Sequence, residues 1–145
     1  MKDVIALLKS LQADSTVLFM KLHNFHWNVK GMDFHPVHGA TEEMYDQFAD
    51  LLDDLAERVL QLGDKPFVTL KAVLANARIK EEEATSFTSK VIVEAVLKDY
   101  EFLAGEFKKL SKLADEAGDK VTAALADDKV AAFEKSIWML KAQLG

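Results

Sequence analysis

"VHGATEEMYDQFADLLDDLAERVLQLG" (residues 37–63) repeats its apolar residues at helical spacing. Val37, Met44, Phe48, Leu51, Leu55, Val59 and Leu62 fall on three- and four-residue steps or their sum, so a helix gathers them into one apolar stripe. Pro36 suits the first turn of such a helix, and Gly63 suits its end. The opposite face carries Glu42, Asp46, Asp50, Asp53 and Glu57, an ordinary solvated acidic face taken one residue at a time. Between the two lies a second flank of His38, Tyr45, Ala49, Leu52 and Ala56. A helix in an isolated bundle needs one buried stripe, so small and aromatic residues on a second flank point to burial against another chain.

Just upstream, "HNFHWNVKGMDFHPVHGATEE" (residues 23–43) holds every histidine of the chain, at 23, 26, 35 and 38. Cysteine is absent, so disulfides and thiolate metal sites are excluded and any metal must take nitrogen and oxygen ligands. Two histidines do not complete such a site. Asp53 and Glu57, spaced i and i+4, can set their carboxylates side by side on one helix face. His38 precedes Asp53 by fifteen residues, roughly 22 Å along a continuous helix. Metal–ligand bonds are about 2 Å, so the two cannot share a metal within one chain. An antiparallel partner helix can bring His38 of one subunit to the acids of another, with His26 approaching from beside it.

The remaining stripes build the rest of the fold. Val4, Leu8, Leu11, Leu18, Leu22, Phe25 and Val29 form a first helix, with Ser15 in the one gap and Gly31 as a C-terminal cap. Residues 64–88 are irregular, and "TLKAVLANAR" (69–78) can form a short helix inside them. Val93, Val96, Tyr100, Leu103, Phe107, Leu110 and Leu113 mark the third long helix, closed by Ala117-Gly118 before an N-cap at Asp119. The fourth runs from about Lys120 to Leu144 on Val121, Leu125, Phe133, Ile137, Trp138 and Leu140. The expectation is a single all-α domain over 1–145. It is a four-helix bundle with a short helix in the long crossover between the second and third helices, the ferritin-like arrangement.

The formal charge of −6 argues against a phosphate-seeking surface. The N-terminus begins in amphipathic sequence, with no basic tail, signal peptide or membrane-spanning run, so a cytoplasmic protein is expected. No Gly-rich phosphate loop or Ser/His/Asp arrangement is present.

"HWNVKG" (26–31), "PVH" (36–38) and "DDLAERVLQLG" (53–63), taken in that order, resemble the signature of the Dps mini-ferritins (DNA-binding protein from starved cells). The resemblance covers essentially the whole chain, "SIWML" (136–140) included, and is closest to the neutrophil-activating protein branch. It implies a hollow homododecamer that oxidises Fe(II) with hydrogen peroxide, or less readily dioxygen, and stores ferric mineral in its cavity. It also implies iron sites shared across two-fold dimers, with His26 and His38 from one subunit and Asp53 and Glu57 from the other. Glu42 stands where many members carry an aspartate ligand, and Trp27 corresponds to a tryptophan beside the iron site that takes up oxidising equivalents. His23 and His35 match no iron ligand of the family and read as surface or interface histidines. Asp46 and Asp50 are candidates for mineral nucleation, and Asp127 and Asp128 for an iron-entry pore.

The chemistry is coherent, since imidazole and carboxylate suit an Fe(II) that must bind, react and leave. Rival readings are a DNA-condensing nucleoid protein, a shell recognised by host cells, and a monomeric zinc bundle. Twelve copies at −6 sum to about −72, which makes DNA binding weak at best. The zinc bundle leaves the second flank and the acid pair without a purpose.

Overall fold

The computed structural model describes residues 1–145 and is helical almost throughout, in the expected order. Four long helices, α1 (Lys2–Asn28), α2 (Phe34–Gln61), α4 (Ser89–Glu116) and α5 (Lys120–Leu144), are joined by short turns except in the crossover. There the short α3 (Leu70–Asn76) lies within residues 69–78, capped by the Thr69 hydroxyl accepting from the Ala72 amide. No helix is long and apolar enough to cross a membrane. The chain divides into two units, Lys9–Ile92 and Met1–Leu8 with Val93–Gly145.

In the first of these units the stripe expected for α2 is buried at Val37, Phe48, Leu51, Leu55 and Val59, and the acidic face of Glu42, Asp46, Asp50, Asp53 and Glu57 is exposed. The second flank behaves as neither. His38, Tyr45, Ala49, Leu52 and Ala56 are all half-buried. Gly63, at φ +86°, ends the helix in a Schellman turn, its amide bonded to the Leu60 carbonyl and the Asp64 amide to that of Val59. Ser15, in the gap of the α1 stripe, is fully buried and its hydroxyl has no hydrogen-bond partner.

Gly31 departs from the expected cap. α1 stops at Asn28 because its carbonyl accepts from the Phe87 amide while the Lys30 amide donates to the Phe87 carbonyl. Gly31, at φ +111°, instead turns the chain into α2, its carbonyl accepting from the Phe34 amide. The crossover is tied to α1 by polar side chains. Gln12 donates to the Phe67 carbonyl and accepts from its amide, Asn24 donates to the carbonyls of Glu82 and Ala84, and Lys9 lies over the Phe67 ring. Asp14, completely buried, accepts from the backbone amides of Arg78 and Ile79 and pairs with the Arg78 guanidinium at 2.7 Å.

In the other unit α4 and α5 run antiparallel, with Phe133 against Tyr100 and Phe107 and with Ser111 donating to Asp127. A second Schellman turn at Gly118 leads to Asp119, which caps α5 by accepting from the Thr122 amide. The α5 stripe is a correction. Val121 and Trp138 are 63% and 68% exposed, and the buried face is made of Thr122, Ala123, Ala126, Phe133 and Leu140. Small residues let a neighbouring helix approach closely, and they carry too little hydropathy to mark the buried face.

Candidate metal centre

The last turn of α1 and the first turns of α2 run antiparallel, and the turn through Gly31 brings His26 and His38 together. Their imidazoles stack at 3.7 Å between centroids and 14° between planes. The hydrogen bonds are reciprocal. His26 Nδ1 lies 2.6 Å from the His38 carbonyl oxygen, and His38 Nδ1 lies 2.8 Å from that of His26. A carbonyl can only accept, so Nδ1 carries the proton in both rings. In the neutral form each ring therefore keeps its lone pair on Nε2, the tautomer a metal requires.

Thr41, buried one turn after His38, donates its hydroxyl to the Val37 carbonyl at 2.8 Å and stands 3.3 Å from His26 Nδ1, within reach to share that proton. His26 itself is buried, while His38 is half-buried.

Around this pair is a layer of rings. His23, its Nδ1–H donated to the Phe19 carbonyl, stacks on Tyr45 at 3.7 Å and 18°. Tyr45 meets His26 edge-on at 5.2 Å, and Trp27, 61% exposed, stands 5.3 Å from His23. Partial burial of Tyr45, with Glu42 and Asp46 close by, pushes its phenol above the usual tyrosine range. Glu42 is exposed and lies 3.5 Å from the Tyr45 hydroxyl. On the other side, Phe34 stacks on His38 at 4.9 Å and 18°, and the exposed His35 meets Phe34 edge-on.

The acids stand elsewhere. Asp53 and Glu57 are exposed on α2, which is one continuous helix from Phe34 to Gln61, so the roughly 22 Å to His38 holds. Arg58 beside them donates to Gln61 at 2.9 Å. Within one chain no three histidine, aspartate or glutamate side chains converge as metal ligands. Asp46 and Asp50 are exposed on the same acidic face. In the other unit Asp127 accepts from Ser111 at 2.6 Å and Asp128 lies 3.6 Å from the Lys129 ammonium.

Thr41, Tyr45 as a ring partner, and Phe34 were not singled out as site residues by the spacing of histidines and acids. Phe34 and His38 are i and i+4, as are His38 and Glu42, so the same helical arithmetic reaches them. The carbonyl acceptors leave no mark in sequence at all.

Residues 5–145 match the ferritin-like domain family. A DNA protection during starvation protein of Helicobacter pylori is 59% identical over 138 residues, 95% of this chain and 96% of that protein. The crystal structure of Helicobacter cinaedi CAIP superposes with a TM-score of 0.97 at 62% identity, covering 98% of this chain and 99% of that one. A Dps protein of Vibrio cholerae, described as a member of a broad superfamily of ferritin-like diiron-carboxylate proteins, is 31% identical with a TM-score of 0.95, covering 99% and 90%.

Proposed function

The chain belongs to the ferritin-like family, among the Dps proteins, and on that premise we propose that it is an iron-storing ferroxidase. Its substrate is Fe(II). Two Fe(II) each give one electron to one hydrogen peroxide, which with two protons leaves as two waters, and the Fe(III) is stored as mineral within a dodecameric shell. The site is shared across a two-fold dimer. His26 and His38 of one protomer bind iron with Asp53 and Glu57 of the partner subunit, and Glu42, four residues after His38 on the same helix, assists.

One observation carries this reading. Two imidazoles are held stacked in the tautomer that leaves Nε2 free, while the acid pair that could complete the ligand set sits roughly 22 Å along the same helix. A second chain, antiparallel along the half-buried flank of α2, supplies what the first lacks. Asp46 and Asp50 serve mineral nucleation, Asp127 and Asp128 line the iron entry, and Trp27 accepts stray oxidising equivalents. The protein acts in the cytoplasm as one domain, and it protects DNA by removing iron and peroxide rather than by binding phosphate, in keeping with its charge of −6.

Complementation tests the sharing. His26→Ala/His38→Ala and Asp53→Asn/Glu57→Gln subunits are each prepared alone, then reassembled together from an equal mixture. Each alone is inactive in peroxide-coupled Fe(II) oxidation. Random pairing makes half the dimers mixed, and each of these regains one of its two sites, so about one quarter of the wild-type rate returns. No recovery in particles of wild-type mass refutes the shared site.

A further inference from the structure

Phe34 opens α2, and although the residue is 36% exposed its ring covers a neighbouring side chain. What it covers is His38. The two rings lie 4.9 Å apart and 18° from parallel, while His26 lies 3.7 Å and 14° from the same imidazole. Two rings so nearly parallel to a third, at these distances, would interpenetrate if they shared one of its faces. They therefore take opposite faces, and His38 is the middle layer of a three-ring sandwich.

His26 and the carbonyl hydrogen bond alone leave the outer face of His38 open to rotation and to water. Phe34 closes that face. It is held in turn by its own amide, which donates to the Gly31 carbonyl at the neck of the turn.

We propose that Phe34 is a positioning residue for metal binding through His38, fixing the plane of the imidazole so that Nε2 is presented in one direction before the metal arrives. The inference rests on the reading of His38 as a metal ligand. Preorganisation of this kind raises affinity by removing the cost of immobilising a ring on binding. A flat aromatic partner is required, because an aliphatic side chain of similar volume fills the space without holding the ring parallel.

Co(II) is a suitable probe, since it takes the same imidazole and carboxylate ligands and its visible absorption reports binding directly, with no turnover. It is titrated into wild type, Phe34→Leu, Phe34→Tyr and the His26→Ala/His38→Ala control, each checked for native mass and helix content. Phe34→Leu weakens binding about three- to tenfold, the range aromatic pairing supplies, and Phe34→Tyr stays within about twofold of wild type. Phe34→Met replaces the leucine variant if that one does not reach wild-type mass, with the same expectation. Leucine or methionine binding as tightly as wild type, or tyrosine binding as weakly as leucine, overturns the role of Phe34 while leaving the metal site in place. Wild type binding no better than the histidine control removes the metal site itself, and Phe34 with it.

Discussion

At the start of α2, His38 shares ring stacking and two carbonyl hydrogen bonds with His26, whereas roughly four turns later Asp53 and Glu57 of the same helix stand exposed. The difference follows from what each ligand type demands. Imidazole offers one lone pair, on one nitrogen, and only in the right tautomer, so it must be oriented and its other nitrogen occupied in advance. A carboxylate offers two equivalent oxygens and pays little for waiting in water. The histidine half of the proposed site is thus built by one chain alone, and the acid half is left uncommitted.

The two halves should differ in what they contribute to the folded structure. His26→Ala removes a buried ring, its stack and its hydrogen bond, and urea unfolding is expected to show a loss of about 2 kcal/mol. Asp53→Asn/Glu57→Gln changes exposed groups and is expected to stay within about 0.5 kcal/mol of wild type in the same experiment. Equal losses from both would mean that the acids are as firmly built in as the histidines.

A smaller effect concerns the ring layer between the two halves. Partial burial, then Glu42 and Asp46, disfavour the Tyr45 phenolate, and burial alone does the same for Tyr100. The folded state therefore keeps both protons longer than the unfolded chain. The stability this contributes is complete below the ordinary tyrosine value and is lost as pH rises through the folded-state values. Ultraviolet titration of the folded protein should show both tyrosines, the only two in the chain, ionising late. Glu42→Gln should bring one of them down towards the usual value and leave the other in place.

Much of this was legible in the residues. Three long helices bury the stripes that their spacing marks, Gly63 and Gly118 end helices where expected, and Asp119 caps the next. The α5 face was misread because its buried residues are mostly small, and Val121 and Trp138, which look like core, face outwards. The hold on the crossover was invisible for a different reason. Gln12, Asp14 and Asn24 read as interruptions in an apolar helix, and their partners lie more than fifty residues away, mostly on the backbone. At the candidate site, histidine clustering marked the two imidazoles that the fold brings together, and the i, i+4 acids lie exposed further along α2. The carbonyls that hold both Nδ1 atoms are again backbone, which every sequence supplies equally.

The reciprocal bonds between His26 and His38 join two positions twelve residues apart. In effect they fasten the hairpin with a non-covalent clasp, and residues 29–33 form the turn between two helix ends that are already held. Met32, fully exposed at its tip, lies outside the geometry that the clasp maintains. Its side chain is therefore free to change or carry a label, while Gly31 and Phe34 on either side keep the places that the turn and His38 require.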